Sequence, residues 1–497
     1  MYHPNLRTVA GVVEFHADRT PATTAISCAG RSLTYAELHR NSNQIANAIT
    51  TAGLRPGSRI AYLGKESEHY YEILFAAAKS ATVLVPINWR LTAGEVDHIL
   101  RDSGTELLFV EHALADVARK VQADLPTLGT IVELDEPDGL AQWLARQPDT
   151  DLAPGTGPDD PIVQLYTSGT TGLPKGVVLA QRSFFAIRDA LACAGLDWID
   201  WRAGDRSLIG IPGFHVGGIW WAMQGFSAGI TTVCVVPSML RLLLAEPDVG
   251  PADFATVRKI VYGGSPISET LLTEAIRVCG AEFAQIYGLT ETGNTAVCLP
   301  PADHTLGNHR LRAAGRPYPG VQVKVIDQDG NPLPTGEVGE VCLRTPARML
   351  EYWANPTATA QTLVDGWIHT GDAGHVDAEG YVHISDRLKD MIIVAGENIY
   401  PTEIENALSR HPGVAEAAVI GIPDERFGEA VCAFVAPRPD WRIGPRELLL
   451  FLKDSLAAFK IPSRFEFVDQ VPRNPSGKIL RRELRDRFWH GRTRQVN

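Results

Sequence analysis

Residues 166 to 176 read Tyr166-Thr167-Ser168-Gly169-Thr170-Thr171-Gly172-Leu173-Pro174-Lys175-Gly176. A serine, three threonines and two glycines precede one lysine, directly after the apolar run Ile162 to Leu165. Backbone N–H groups left unpaired in a glycine-rich turn converge on anionic oxygens. Hydroxyls add donors and the lysine adds charge, so the segment is suited to a polyphosphate. It is not a Walker A loop. The lysine lies six residues after Gly169 and is followed by Gly176 rather than Ser or Thr.

Four more segments carry usable groups. Gln285-Ile286-Tyr287-Gly288-Leu289-Thr290-Glu291-Thr292 puts a ring, a hydroxyl and a carboxylate together. The glutamate can hold Mg²⁺ through oxygen and the tyrosine can stack on a base; a strand end with a capped turn reads equally well. Trp367-Ile368-His369-Thr370-Gly371-Asp372 offers a carboxylate able to accept from two ribose hydroxyls, or an Asp ending a strand. In Ser385-Asp386-Arg387-Leu388-Lys389-Asp390, Arg387 can donate to ribose or phosphate, or the run is a solvated linker. Pro472-Arg473-Asn474-Pro475-Ser476-Gly477-Lys478 sets a lysine on a turn, where it is either solvated or brought to a phosphate-bearing centre.

Positioning these groups falls to alternating helices and strands. Thr34 and Glu37 have capping-box spacing, and Leu38, Ile45 and Ile49 follow on one helical face. Strands are expected at Ile60–Leu63, at Val83–Val85 (stopped by Pro86) and at Leu107–Val110. Helices are expected at Tyr70–Lys79 and Thr92–Arg101. That rhythm implies parallel sheets with helices on their faces. From Val321 a period of two and closely spaced Gly/Pro turns predict a smaller β-rich subdomain. Helices at Pro401–Ser409 and Pro445–Ala458 and strands at Val414–Ile422 and Ala430–Val435 predict an α+β tail. The expected division is 1–388 and 389–497, with the boundary at Lys389.

The 497 residues carry a net charge of −12, which argues against general nucleic-acid affinity. Arg481, Arg482, Arg485 and Arg487 read as a solvated helix face. Seven scattered cysteines without a CxxC pair fit a reducing compartment. The first residues lack the pattern of a signal peptide and no apolar run is long enough to span a bilayer, so a cytoplasmic protein is expected. Peripheral membrane contact and homo-oligomer formation are left open.

Taken in order, the phosphate-loop segment, Gly263-Gly264-Ser265-Pro266, Tyr287 to Glu291, Thr370-Gly371-Asp372, Asp386-Arg387, Gly396-Glu397-Asn398-Ile399-Tyr400-Pro401 and Gly477-Lys478 resemble the motifs of the adenylate-forming enzymes. The resemblance covers residues 10 to 490 and is nearest to the acyl-CoA synthetases. It implies a large N-terminal domain of two αβ sheet subdomains and a small β-rich subdomain, followed by a mobile α+β C-terminal domain. It implies an acid–thiol ligase that converts a carboxylic acid, fatty or ring-bearing, and ATP to acyl-AMP, then transfers the acyl group to coenzyme A. ATP, Mg²⁺ and coenzyme A are the implied small molecules.

By the same resemblance, Thr167, Ser168, Gly169, Thr170, Thr171 and Lys175 cradle the β- and γ-phosphates. Thr290 and Glu291 address the α-phosphate and Mg²⁺. Gly264, Ser265, Pro266 and Tyr287 flank adenine, and Asp372 and Arg387 hold ribose. Lys478 bridges the carboxylate and α-phosphate, and His215 gates the acid and acceptor channels. Lys389 is the hinge, and Gly396, Glu397 and Asn398 approach the pantetheine tunnel after rotation. Trp220 and Trp221 stand where relatives place acid-pocket residues; an indole wall favours a short-to-medium or ring-bearing acid, although two tryptophans in an apolar helix also suit a core.

The chain departs from the family pattern at three places. Phe214-His215 replaces the Phe-Asp of amino-acid-activating domains, which disfavours an amino-acid substrate. Ala395 stands where many relatives have a first glycine before Gly396. Relatives also have a further strand and helix where Gly229 here runs straight into Ile230. Either that unit is lost or the native protein carries residues absent from this sequence, the second being the expectation. Three rival functions are an acyl-AMP ligase serving a carrier protein, a luciferase-like oxygenase and an inactive nucleotide-binding protein. Retention of Lys175, Glu291, Asp372 and Lys478 argues against the last.

Overall fold

Local caps start the first sheet's helices where the sequence places them. A computed structural model describes residues 3–489 apart from 137, 153–155, 168–173, 198–204, 229, 395–396, 440, 454 and 474–478. Thr34 and Glu37 form a reciprocal capping box on the helix Tyr35–Thr51, which buries Leu38, Ile45 and Ile49. Thr92 and Glu95 do the same for Ala93–Ser103. These helices and the buried Glu68–Ser80 flank a seven-stranded sheet. Its order is Glu351–Tyr352, Lys175–Ala180, Pro161–Thr167, Val83–Ile87, Arg59–Leu63, Thr105–Val110 and Thr130–Glu133.

The central strands are parallel and almost wholly buried, which explains their continuous apolar runs. The expected stop at Pro86 is corrected: the strand continues to Ile87, with Pro86 opposite Tyr62. Its ladder with Pro161–Thr167 is registered at Leu84–Val163, so Pro86 lies beyond the point where an N–H is needed.

The second sheet has six strands in the order Arg316–Pro317, Val297–Leu299, Glu282–Tyr287, Lys259–Gly263, Ile230–Val235 and Asp205–Ile209. The helix Val216–Ala228 precedes Ile230–Val235, whose two neighbours are both parallel to it. Among the described strands, Ile230–Val235 therefore pairs directly with Asp205–Ile209 and Lys259–Gly263. Gly229, where the sequence raises the question of a further unit, lies outside the described residues. Asp205–Ile209 is the sheet's edge, and Leu208 on it is 63% exposed. One apolar cluster joins the two sheets, with Tyr70, Phe75, Phe184, Trp220 and Trp221 among its members. Each such large side chain contributes about 1.5–3 kcal/mol when fully buried.

A small antiparallel sheet follows, of Gln322–Ile326, Gly339–Arg344, Trp367–Val376, Leu363–Val364 and Val382–Arg387. The tail forms an α+β unit around Val414–Asp424 and Gly428–Pro437, with its own core of Ile404, Leu408, Val419, Val435 and Leu448. The helix expected over 445–458 is shorter, Pro445–Lys453, and the Ser455 N–H beyond it takes the tighter bond three residues back to the Leu452 carbonyl. No helix among the described residues is long and apolar enough to cross a membrane.

Candidate active site

Most of the candidate groups lie where strands end. Pro161–Thr167 and Lys175–Ala180 form an antiparallel hairpin in which Thr167 lies directly opposite Lys175. The two residues flank the mouth of the loop that contains Ser168, Gly169, Thr170 and Thr171, which lie outside the described residues. The parallel strands Lys259–Gly263 and Glu282–Tyr287 pair Gly263 with Ile286. Gly264, Ser265 and Pro266 therefore leave the sheet beside Tyr287, at the carboxyl ends where open αβ sheets bind ligands. A Cβ on Gly263 would lie 2.4 Å from the Ile286 carbonyl oxygen, so this close approach requires glycine. Gly264 takes a φ of +80°, which glycine adopts without strain.

Glu291 sits in the short turn Thr290–Thr292 just after that strand and is buried. Tyr352 Oη donates to Glu291 Oε1 at 2.6 Å, and Lys175 Nζ lies 5.2 Å from the centre of the Tyr352 ring. Tyr352 reaches this position because Glu351–Tyr352 pairs with Val177 and Val178, just beyond Lys175. One aromatic side chain thus links the lysine and the carboxylate. A buried carboxylate whose bond to Tyr352 uses one oxygen fits Mg²⁺, which takes one or two carboxylates and completes its shell with water and phosphate oxygen. When bound, such an ion would neutralise charge on the phosphates.

Asp372 is pinned at both oxygens. Arg387 Nε lies 2.7 Å from Oδ1, and Tyr287 Oη donates to Oδ2 at 2.7 Å. The first contact follows from register, since Asp372 faces Arg387 across paired strands. Asp372 is therefore mid-strand, and Arg387 ends a strand rather than a solvated linker. Burial, then Asp372, push the Tyr287 phenol well above its ordinary value. Burial works against the Arg387 charge, but Asp372, Tyr287 and Glu291 together hold it above the usual guanidinium range. Tyr287 thus stays a neutral donor and Arg387 a cation.

His215 stands at the start of the helix Val216–Ala228. Its carbonyl accepts from the Gly218 N–H at 3.0 Å, and its ring centre lies 4.8 Å from that of Phe214. Trp220 and Trp221 are 3% and 0% exposed within the cluster joining the two sheets. Nothing in their packing singles out either indole as a pocket wall. Glu397 and Asn398 are exposed on a short strand paired with Ile392–Val394, while Gly396 lies outside the described residues. Lys389 is the middle residue of a tight turn, Leu388–Asp390. Arg485 Nη1 donates to its carbonyl at 3.4 Å and pairs with Asp390 at 2.8 Å. The arginine-rich helix is therefore partly engaged: Arg481 pairs with the half-buried Glu405, and Arg482 remains on the solvent face. Lys478 lies outside the described residues, on a loop whose ends are held by a bridge between Arg473 and Ile479.

Tyr352 was not among the sequence candidates. Its contact with Glu291 spans 61 positions, and only its closeness to the strand partner of Lys175–Ala180 could have pointed to it. Tyr352→Phe removes that bond while keeping the ring under Lys175. A hydrogen bond to a charged group is worth roughly 1.5–3 kcal/mol, so adenylate formation is expected to fall about tenfold or more. The measurement is acid-dependent pyrophosphate release at several Mg²⁺ concentrations, and wild-type kinetics would remove Tyr352 from the site.

Comparison with known proteins matches residues 13–235 and 227–353 to the AMP-binding enzyme family and residues 403–478 to the AMP-binding enzyme C-terminal domain. The two N-terminal matches overlap around residue 229. The chain is 63% identical to "Fatty acid--[acyl-carrier-protein] ligase ScoC" of Streptomyces coeruleorubidus over 520 aligned positions, covering 100% of this chain and 99% of that one. It is 35% identical to "Long-chain-fatty-acid--CoA ligase FadD13" of Mycobacterium tuberculosis, covering 92% and 93%. Among solved structures, an anthranilate CoA ligase, AuaEII, in complex with anthranoyl-AMP superposes with a TM-score of 0.88 at 26% identity, over 98% of each chain. ATP-bound MatB from Rhodopseudomonas palustris gives 0.88 at 28%, covering 97% and 100%.

Proposed function

From the premise that this chain belongs to the family of AMP-binding, adenylate-forming enzymes, we propose that it activates a fatty acid as acyl-AMP and passes the acyl group to the phosphopantetheine thiol of a carrier protein. The supporting observation is the 63% identity, over the whole chain, to a ligase named for that acceptor. Coenzyme A is the second reading, supported by the relatives named as CoA ligases at 35% to 38%. The thiol arm is common to both, so the distinction lies outside the reacting atoms.

In the first step a carboxylate oxygen attacks the α-phosphorus of ATP and pyrophosphate leaves. Both partners are anionic, so the site must screen them and stabilise charge that grows at phosphorus. Lys175 and the hydroxyls around Thr167 hold the departing phosphates. Glu291, fixed by Tyr352, faces the α-phosphate with Thr290. Asp372 orients ribose while Arg387 and Tyr287 hold its two oxygens in place. Lys478 supplies the charge that bridges the reacting oxygens. In the second step the thiol sulfur attacks the acyl carbonyl, and AMP leaves with the bonding pair.

The two steps need different neighbours at one centre, so the tail is assigned a rotation about Lys389 that withdraws Lys478 and presents Glu397 and Asn398. Lys389→Pro fixes φ near −65°. Adenylation is expected to persist while transfer to thiol falls, as read by pyrophosphate release against thioester yield. Unchanged transfer would place the hinge elsewhere.

Trp220→Ala and Trp221→Ala test the acid. A ring that limits the pocket, once removed, should shift preference to longer acids, by about 0.8 kcal/mol per added buried methylene. An unchanged chain-length profile in both variants would assign both rings to the core alone.

The acceptor is tested by offering equal concentrations of coenzyme A and a phosphopantetheinylated carrier protein with one fatty acid. Preferential loading of the carrier is expected. Preferential formation of acyl-CoA would replace this reading with the second.

A further inference from the structure

Gly213, two residues before His215, is gripped at both polar atoms of its backbone by a distant segment. Its N–H donates to Glu66 Oε2 at 2.9 Å, and its carbonyl accepts from Tyr70 Oη at 2.7 Å. The other Glu66 oxygen accepts from Tyr71 Oη. Tyr70 and Tyr71 are 2% and 4% exposed and lie edge to face, with ring centres 5.2 Å apart. Tyr62 meets Tyr70 edge-on from the other side at 5.1 Å. These rings leave the Tyr70 hydroxyl little room to turn away.

Gly213 is shaped for this grip. A Cβ there would lie 2.5 Å from two Tyr70 ring carbons, so only glycine lets the strap approach. Gly218, in the first turn of the following helix, is equally constrained, since a Cβ would fall 2.4 Å from the Ile211 and Pro212 carbonyl oxygens. His215 lies between these two constrained glycines. The Gly213 N–H belongs to the peptide unit before its Cα and the C=O to the unit after it, so two successive peptide units are held and the residue two positions on inherits that restraint. A partly buried carboxylate, with one oxygen on the Gly213 N–H and the other on the Tyr71 hydroxyl, is a costly way to satisfy donors that neutral acceptors would serve. Burial raises the Glu66 pKa, with the Tyr71 and Gly213 bonds opposing it.

We propose that Glu66 and Tyr70 are positioning residues that hold the two peptide units on either side of Gly213 and thereby set the approach of His215 during acyl transfer to thiol. The inference rests on the reading of His215 as the gate between the acid and acceptor channels. Neither residue touches the groups assigned to ATP, so adenylation should be spared.

The test separates the two half-reactions in Glu66→Ala, Glu66→Gln, Tyr70→Phe and His215→Ala. Adenylation is read by acid-dependent exchange of pyrophosphate into ATP. Transfer is read by single-turnover reaction of supplied acyl-AMP with pantetheine, and thermal unfolding reports folding. Glu66→Ala is expected to slow transfer about tenfold, the scale of a lost hydrogen bond to a charged group, and to leave exchange within about twofold. Glu66→Gln, which keeps an acceptor for the Gly213 N–H, should recover most of the loss. Tyr70→Phe keeps the packed ring and removes only the donor, so it carries the test if Glu66→Ala does not fold. Transfer at the wild-type rate in Tyr70→Phe and Glu66→Ala, or exchange falling in parallel with transfer, overturns the proposal. Unchanged transfer in His215→Ala would instead remove the gate reading, and the clamp's role with it.

Discussion

Lys478→Ala is expected to lower acyl-adenylate formation by about 10²–10³-fold while thioester formation from supplied acyl-AMP continues near the wild-type rate. The asymmetry follows from where charge develops. During adenylation, negative charge accumulates on oxygens between the acid and the α-phosphorus, and a lysine there stabilises the transition state more than the ground state. In the thiol step those oxygens already belong to AMP, the leaving group, and no new phosphorus–oxygen bond forms. Pyrophosphate exchange and single-turnover thioester yield measure the two steps separately. Equal loss in both would remove Lys478 from its assigned role.

Asp372→Ala is expected to raise the KM for ATP about a hundredfold and to lower stability by about 2 kcal/mol. Two effects combine. The carboxylate assigned to ribose is lost, and Tyr287 and Arg387 each lose a 2.7 Å partner. Removing one member of a buried charge pair costs about 3–5 kcal/mol, but the Arg387 side chain is 39% exposed, so water can solvate part of the orphaned charge. Asp372→Asn keeps an acceptor for Tyr287 and should recover stability more than ATP affinity. Initial rates against ATP concentration, together with thermal unfolding, read both effects. An unchanged KM in both variants would move the ribose contact elsewhere.

Much of the scaffold was legible because its causes are local. The Thr34–Glu37 box lies within one helical turn, and the buried parallel strands announce themselves as apolar runs. Errors arose where a local rule met a longer-range one. Pro86 stops a strand only if a neighbour needs its N–H, and that depends on the register with Pro161–Thr167. The helix from Pro445 ends at Lys453, short of the Ala458 that its hydrophobic spacing suggests, since apolar spacing alone does not mark a helix end.

The groups assigned to the reaction were readable as short motifs, and the structure brings Thr167, Lys175, Glu291, Tyr287, Asp372 and Arg387 to strand ends and facing strands. What holds those groups was not readable. Tyr352 reaches Glu291 across 61 positions, and Tyr70 reaches Gly213 across 143. Such contacts leave no periodic trace in a sequence, since they are made by the fold and not by neighbours in the chain. The choice of acid stayed equally hidden. Trp220 and Trp221 have the same composition and spacing whether they wall a pocket or fill a core, and their burial suits the core.

Every role assigned to the site depends on acid activation through an acyl-adenylate. The direct measurement is exchange of labelled pyrophosphate into ATP by the purified protein, across straight-chain and aromatic carboxylic acids in the presence of Mg²⁺. The predicted result is exchange that needs both the acid and Mg²⁺, strongest for a fatty acid and absent for amino acids. ATP binding without exchange for any acid on the panel would contradict it, leaving a nucleotide-binding protein that keeps the fold but not the reaction.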